Sequence, residues 1–408
     1  MLPALLAVTM AAVQTAPPPV SASPRHPVAA EAFRPDSVLA PPGGPRTVLL
    51  GATSGGVAAL RLSVPLDESP VEAGVGFVLR DLARARMESL ARPVGARVSA
   101  SRTPWGLAYA VEGAVADIEY LAYLLREAVA EPDVGGVGLT SARQALSREV
   151  AQALEAPGPR VLDLLRRRVA PGLTATQGTE TTVAGLDAAR VLAAWRRSHR
   201  SDRMTLVASA GVAPEVILAA TRGMGVPVDV VEPPLNAPAP GGEPAGRVQT
   251  LRTWYGEARS AGAPDQPVGP VAALLVADVL GARAVGFEAG VELWELADRW
   301  VLAVVGAAYR SDLASMRAAV SSAVADTRTG LTDEAVADAV ARVRRDFLAR
   351  ARTPGGIVAS VGRSMEASGD PMAAARYLTD LEALDRAGMD AFFGALMAAE
   401  PARAEVRP

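Results

Sequence analysis

The second half of this chain repeats its first. "LTSARQALSREVAQALEAPGPRVLDLLRRRV" (139–169) returns as "LTDEAVADAVARVRRDFLARARTPGGIVASVGRSM" (331–365), with Leu139-Thr140 matching Leu331-Thr332 and Pro157-Gly158 matching Pro354-Gly355. "LDAARVLAAW" from 186 returns as "LDRAGMDAFF" from 384, so the offset drifts only from 192 to 198. Solenoid repeats run about 20 to 50 residues, and one this long instead means two similar domains.

Each repeat begins with strand patterns and continues into helices. In the first half "RTVLLGA" and "VAALRLSVPL" read as strands, and "GATSGG" at 51–56 as a hairpin turn between them. A helix follows in "ESPVEAGVGFVLRDLARARM" (68–87), with Phe77, Val78, Leu82 and Ala83 at helical spacing. Two more strands, four helices and a closing strand "RMTLVASAGV" complete the half. The pattern predicts an α+β protein of two homologous domains, 45–228 and 247–408, each a sheet with helices packed on one face. The Pro/Gly-rich residues 229–246 read as the linker between them. Residues 1–44 read as a possible signal peptide followed by a flexible Pro/Ala-rich leader. Export to the periplasm or beyond is favoured, a cytoplasmic location being the alternative. At about 12 residues the N-terminal apolar run is too short for an ordinary membrane span, which needs about 20.

Composition removes several kinds of chemistry. Among 408 residues there is no Cys and no Lys, and the formal charge is −3. Disulfides, thiolate metal sites and Cys nucleophiles are excluded, and so is a Walker phosphate loop, which requires Lys. A nucleic-acid groove normally needs a strongly basic domain. Only His26 and His199 are present, the first in the leader and the second in the basic turn "WRRSHRSDRM", where a surface position is expected. Two histidines and no cysteines do not assemble an ordinary zinc site, and serine lacks a plausible base.

The ordered set "ALRLSVPLDESPVEAGVGFVLRDL", "VGARVSASRTPWGLAYAVEGAVADIEYLAYLLREAVAEPD", "SREVAQALEAPGP" and "GTETTVAGLDAARVLAAWRRSHRSDRMTLVASAGV" resembles the insulinase/pitrilysin-type metallopeptidases. It is closest in texture to their short bacterial and mitochondrial-processing types. That family's zinc helix carries H-x-x-E-H, two imidazoles one turn apart with a glutamate between them. The matching positions here are Gly76, Leu79 and Arg80, none of which can hold zinc; Glu149 matches the third ligand. The family's Arg and Tyr, seven residues apart, hold substrate backbone. In the second half Arg299 is followed at that spacing by Gly306, with Tyr309 three residues too late. Arg102 and Tyr109 in the first half do show the spacing and are the candidate peptide-binding residues.

The resemblance therefore implies an inactive subunit with no cofactor of its own. It would bind unfolded peptide and pair, as hetero- or homodimer, with an active zinc-bearing relative. A scaffold subunit resembling respiratory-complex core proteins and a hydrolase with an atypical site are the alternatives. At the vacant site, Arg80 is expected to replace the metal electrostatically by pairing with Glu149.

Overall fold

The computed structural model describes residues 28–51, 56–169, 178–227, 250–263, 266–296 and 298–408. The signal-peptide segment and the linker at 229–246 lie outside them. The first half comprises α1 (Val28–Glu31), β1 (Pro35–Leu39), β2 (Arg46–Leu50), β3 (Val57–Pro65), α2 (Val75–Ala91), β4 (Arg97–Thr103) and β5 (Gly106–Ala114). It continues through α3 (Ile118–Val129), α4 (Val137–Glu155), α5 (Pro157–Val169), α6 (Glu180–Ala184), α7 (Ala188–Ser198), β6 (Thr205–Ser209) and α8 (Pro214–Thr221). The second half comprises β7 (Thr253–Ala261), α9 (Val268–Arg283), β8 (Glu288–Glu295), β9 (Trp300–Ala308) and α10 (Leu313–Thr329). It closes with α11 (Asp333–Arg350), α12 (Pro354–Ser368), α13 (Ala373–Glu382), α14 (Arg386–Ala398) and β10 (Ala402–Val406).

The repeat holds element by element. Strand order β6-β3-β5-β4 in one sheet matches β10-β7-β9-β8 in the other, and each half runs strand, helix, two strands, five helices, strand. The first sheet adds β2, parallel to β6, and β1 outside it. Two expectations are corrected here. Strands β2 and β3 are not a hairpin around "GATSGG", because β6 lies between them. The ordered fold also begins before residue 45: β1 extends the sheet, and Phe33 is fully buried against Phe347, ring centroids 4.7 Å apart.

As expected, each half packs its own helices on one face of its sheet, and the other half covers the opposite face. Own-half helices pack on one face, where Leu60, Leu62 and Val64 of β3 meet Val78, Leu79 and Met87 of α2. The opposite face is covered by a helix from the other half. Ile357, Val358, Val361 and Met365 of α12 lie on Val48, Leu50, Ala59 and Val207 of the first sheet. In return Val161, Leu164 and Leu165 of α5 lie on Ala258, Val301, Ala303 and Ala404 of the second. Gly256 and Gly158 allow close approach: an added Cβ would lie 2.9 Å from Leu165 Cδ1 in the first case and 2.8 Å from the Trp254 ring in the second. Burial on both faces is why "TLVAS" and "WVLAVVGAA" are continuous apolar runs and not alternating ones.

One ion pair crosses inside this packing. Arg61 on β3 donates to Glu366 on α12 at 2.5 Å, and Ser63 Oγ donates to the same oxygen at 2.5 Å. Their side chains are 11% and 7% exposed, so neither charge is well solvated. Replacing Arg61 by Met should cost about 3 kcal/mol in urea unfolding, because Glu366 is left buried with only a hydroxyl donor. Arg61→Met combined with Glu366→Leu should recover most of that loss.

Candidate functional site

The helix that would carry a metal motif is α2, and its N-terminus is held by carboxylates. Gly74 takes φ +97°, a conformation glycine supplies without strain, and caps the helix. Glu68 Oε1 accepts the backbone N–H groups of Gly74 (3.2 Å) and Gly76 (3.0 Å), an anion at the positive end of the helix. Glu72, fully buried, accepts from Arg197 at 2.6 Å. The first contact holds the "LDESPVEAG" entry on the start of its own helix, and the second ties it to α7, 125 residues away in sequence.

The three vacant positions are disposed as follows. Gly76 is buried, and a Cβ on it would stand 2.6 Å from Leu66 Cδ2 and 3.0 Å from both Cδ and Nε of Arg102. The Arg102 guanidinium is fixed by Glu68 Oε2 (3.1 Å), by the Gly106 carbonyl (2.9 Å) and by the carbonyl of Thr103. Thus the space for a first ligand is filled by another strand's side chain. Leu79, 3% exposed, belongs to the core. Arg80 stacks over the Phe77 ring at 4.7 Å and donates to Asp81 at 2.8 Å.

The expected pairing of Arg80 with Glu149 is not formed. Helix α4 buries Leu139, Ala142, Leu146 and Val150, and Glu149 is exposed beside that stripe. Asp81, one residue from Arg80, takes the guanidinium locally. No group of three or more His, Asp or Glu side chains able to hold a metal occurs among the described residues. Gly76, Leu79 and Arg80 offer none of the donors that a zinc ion requires, so the residues present do not fit one.

Arg102 and Tyr109 are each engaged by other groups of the protein. Arg102 is committed to Glu68 and to the turn at Gly106. Tyr109 is fully buried, and its hydroxyl meets His199 Nε2 at 3.0 Å. In the second half Gly306 lets α10 approach β9, with Met316 Cγ 2.8 Å from where a Cβ would be. Tyr309 is half exposed beside Arg252, and Arg299 lies near Asp298.

His199 is also not on the surface: it is 1% exposed. Ser198 Oγ lies 2.8 Å from its Nδ1 and also 2.8 Å from the Ala194 carbonyl. With the proton on Nδ1, the imidazole donates to Ser198, Ser198 donates to Ala194, and Tyr109 donates to Nε2. The polar side-chain atoms of Tyr109, His199 and Ser198 are then all partnered with the ring neutral. The sequence concealed it because "WRRSH" is arginine-rich, yet Arg197 itself turns inward to Glu72. Glu68 and Leu66, which close the site, carry no motif; their only signal is position, in the entry to the matched helix.

No protein-family model matches the sequence, and no curated protein matches it. Solved structures do match in fold. A peptidase M16 inactive domain from Pseudomonas fluorescens superposes with TM-score 0.72 at 13% identity, over 90% of this chain and 97% of that one. The periplasmic protease PqqL from Escherichia coli gives 0.69 at 13% identity over 90% of this chain, which spans only 44% of that longer chain. A chain of complex III from Candida albicans gives 0.69 at 11% identity, over 91% and 95%.

Two outcomes are expected. Gly76→His should lower stability by about 1–3 kcal/mol in urea unfolding, since Leu66 and Arg102 must be displaced. Burial pushes the His199 imidazole down to about 3 from an ordinary 6.5. Between those values the unfolded chain binds a proton that the folded chain refuses. The contribution is therefore whole above pH 6.5 and is lost as pH falls towards 3, at up to about 1.4 kcal/mol per pH unit. Unfolding measured at pH 6.5 and 5.5 should show that decline, and His199→Gln should flatten it.

Proposed function

We propose that this chain, built on the M16 peptidase fold, is a non-catalytic subunit that binds extended peptide and pairs with an active zinc-bearing relative. The observation that carries the reading is the closure beside Gly76. The helix is kept in the core, while Arg102 and Leu66 fill the place of a ligand and Leu79 and Arg80 offer none. The likeness to an M16 inactive domain supports this reading. So does the longer periplasmic protease chain, of which this chain spans less than half. The same reading makes this an exported protein. Among the described residues, no helix is long and apolar enough to cross a membrane.

Peptide would add to an open sheet edge. β4 is one of the two outer strands of the first sheet and β8 one of the two of the second, each paired on one side only. Main-chain hydrogen bonding there gives affinity with little dependence on sequence. A scaffold subunit is the second reading, favoured by the likeness to a complex III chain.

Purified protein dialysed against zinc should retain far less than one ion per chain and leave unfolded peptides intact. Mixed with the H-x-x-E-H peptidase of its own cell, it should sediment as a 1:1 complex with raised peptidase activity. Stoichiometric zinc or chelator-sensitive hydrolysis by the chain alone would overturn the reading. A persistent monomer in the mixture would favour the scaffold.

A further inference from the structure

One cavity lies at the seam between the halves, with Arg102, which flanks Gly76 of α2, on its margin. It encloses about 680 Å³, within the range of about 300–1,000 Å³ usual for sites that take small ligands. Its walls come from the β4–β5 turn, the end of α5, the β8–β9 hairpin and helices α9, α11, α12 and α13. Much of the lining is aromatic: Trp294, Trp300, Phe347 and Tyr377. Tyr377 stacks on Phe347 with centroids 4.8 Å apart, so the two rings form one continuous surface. Trp294 is 8% exposed, and its indole N–H is buried without an acceptor.

Charge on the walls is uneven. Five arginines reach the cavity, from both halves, against Glu295 and Asp346. Three of the five are already paired: Arg102 with Glu68, Arg167 with Asp163 at 2.8 Å, and Arg363 with Glu295 through Nε at 2.9 Å. Among the described residues Arg166 and Arg350 make no direct ion pair, although Glu292 and Asp163 act on Arg166, and Glu295 on Arg350, from farther off. Arg166 instead lies over the Trp294 ring at 4.6 Å, and both remain exposed to the water of the cleft. A fixed cation beside an aromatic wall in a concave site attracts an anion more strongly than it would on open surface, because less water screens it. Guanidinium groups match the two oxygens of a carboxylate.

We propose that this cleft binds one carboxylate-bearing ligand with an apolar or aromatic body, the carboxylate drawn to Arg166 and Arg350 and the body laid on the aromatic wall. Two sources share that chemistry, a free aliphatic acid and the carboxy-terminal end of a peptide with an apolar last residue. The site shares Arg102 with the closure beside Gly76, and its walls all come from this one chain.

Calorimetry on the full chain at low salt tests it with two matched pairs of probes: octanoate against octan-1-ol, and a tetrapeptide ending in Phe against its carboxamide. At least one carboxylate should bind at a single site, with its neutral counterpart at least about tenfold weaker, and the acid that binds identifies the source. Arg166→Gln or Arg350→Gln should weaken binding about tenfold. Arg350 is on the exposed side of α11, so its replacement should leave thermal unfolding unchanged even if Arg166→Gln disturbs Trp294. Failure of both acids to bind, equal binding of a neutral counterpart, or wild-type affinity in both variants would overturn the proposal.

Discussion

Two helices, each laid across the sheet of the opposite half, hold this molecule together. A sheet needs cover on both faces when both are apolar, and neither half supplies a second layer for its own sheet. α12 gives it to the first sheet through Ile357, Val358, Val361 and Met365, and α5 gives it to the second through Val161, Leu164 and Leu165. Interfaces between domains of one chain are ordinarily modest and polar. This one is made of two apolar clusters and a buried Arg61–Glu366 pair, so the halves share their cores. The matched Pro-Gly of the repeat stands at the start of both exchanged helices. Gly158 lets α5 close on Trp254, and Gly355 donates its N–H to Glu112 across the seam.

That arrangement separates what the fold requires from what catalysis would require. Val75, Val78, Leu79, Ala83, Met87 and Ala91 bury the α2 helix against β4, α3 and α4. Truncating such residues typically costs about 2–5 kcal/mol each, enough to keep the helix whatever its chemistry. Positions 76 and 80 on the same helix answer to different pressures. Gly76 is small because Arg102 and Leu66 fill the space beside it, and Arg80 lies over Phe77 at the margin of the core.

The repeat was legible because α4 and α5 recur as α11 and α12, with Leu-Thr near the start of the first helix of each pair and Pro-Gly at the start of the second. Thr332 stands just before α11 and accepts the Ala335 N–H through its side chain, whereas Leu139-Thr140 lies within the first turn of α4, which Gly136 caps. The loss of metal ligands was legible too, since it depends on residue type alone. What escaped was everything set by long-range packing. β6 inserts between β2 and β3 across about 150 residues of chain, a pairing no local pattern announces. His199 reads as surface in an arginine-rich turn until Arg197 is seen to find Glu72, 125 residues away in sequence. Arg102 and Tyr109 have a suggestive spacing, but one answers a turn carbonyl and the other a buried imidazole. The seam cleft draws its arginines from four separate elements, so no stretch of sequence contains it.

A positive charge does remain where the family resemblance implied a metal, though it comes from a different residue. Arg80 is the residue aligned with a ligand, but its neighbours Phe77 and Asp81 hold it on its own helix. Arg102 arrives from β4, its stem against Gly76 and its guanidinium on Glu68, each side chain about 10% exposed. Glu68 in turn accepts the N–H groups at the start of α2. Leaving either partner alone in that environment would strand a charge in a poorly solvated site, which is costly. The pair with its backbone partners is therefore a closed unit, in which each charge is answered within the protein. It fastens the ligand helix to the edge strand, and it leaves no room beside Gly76 for another side chain.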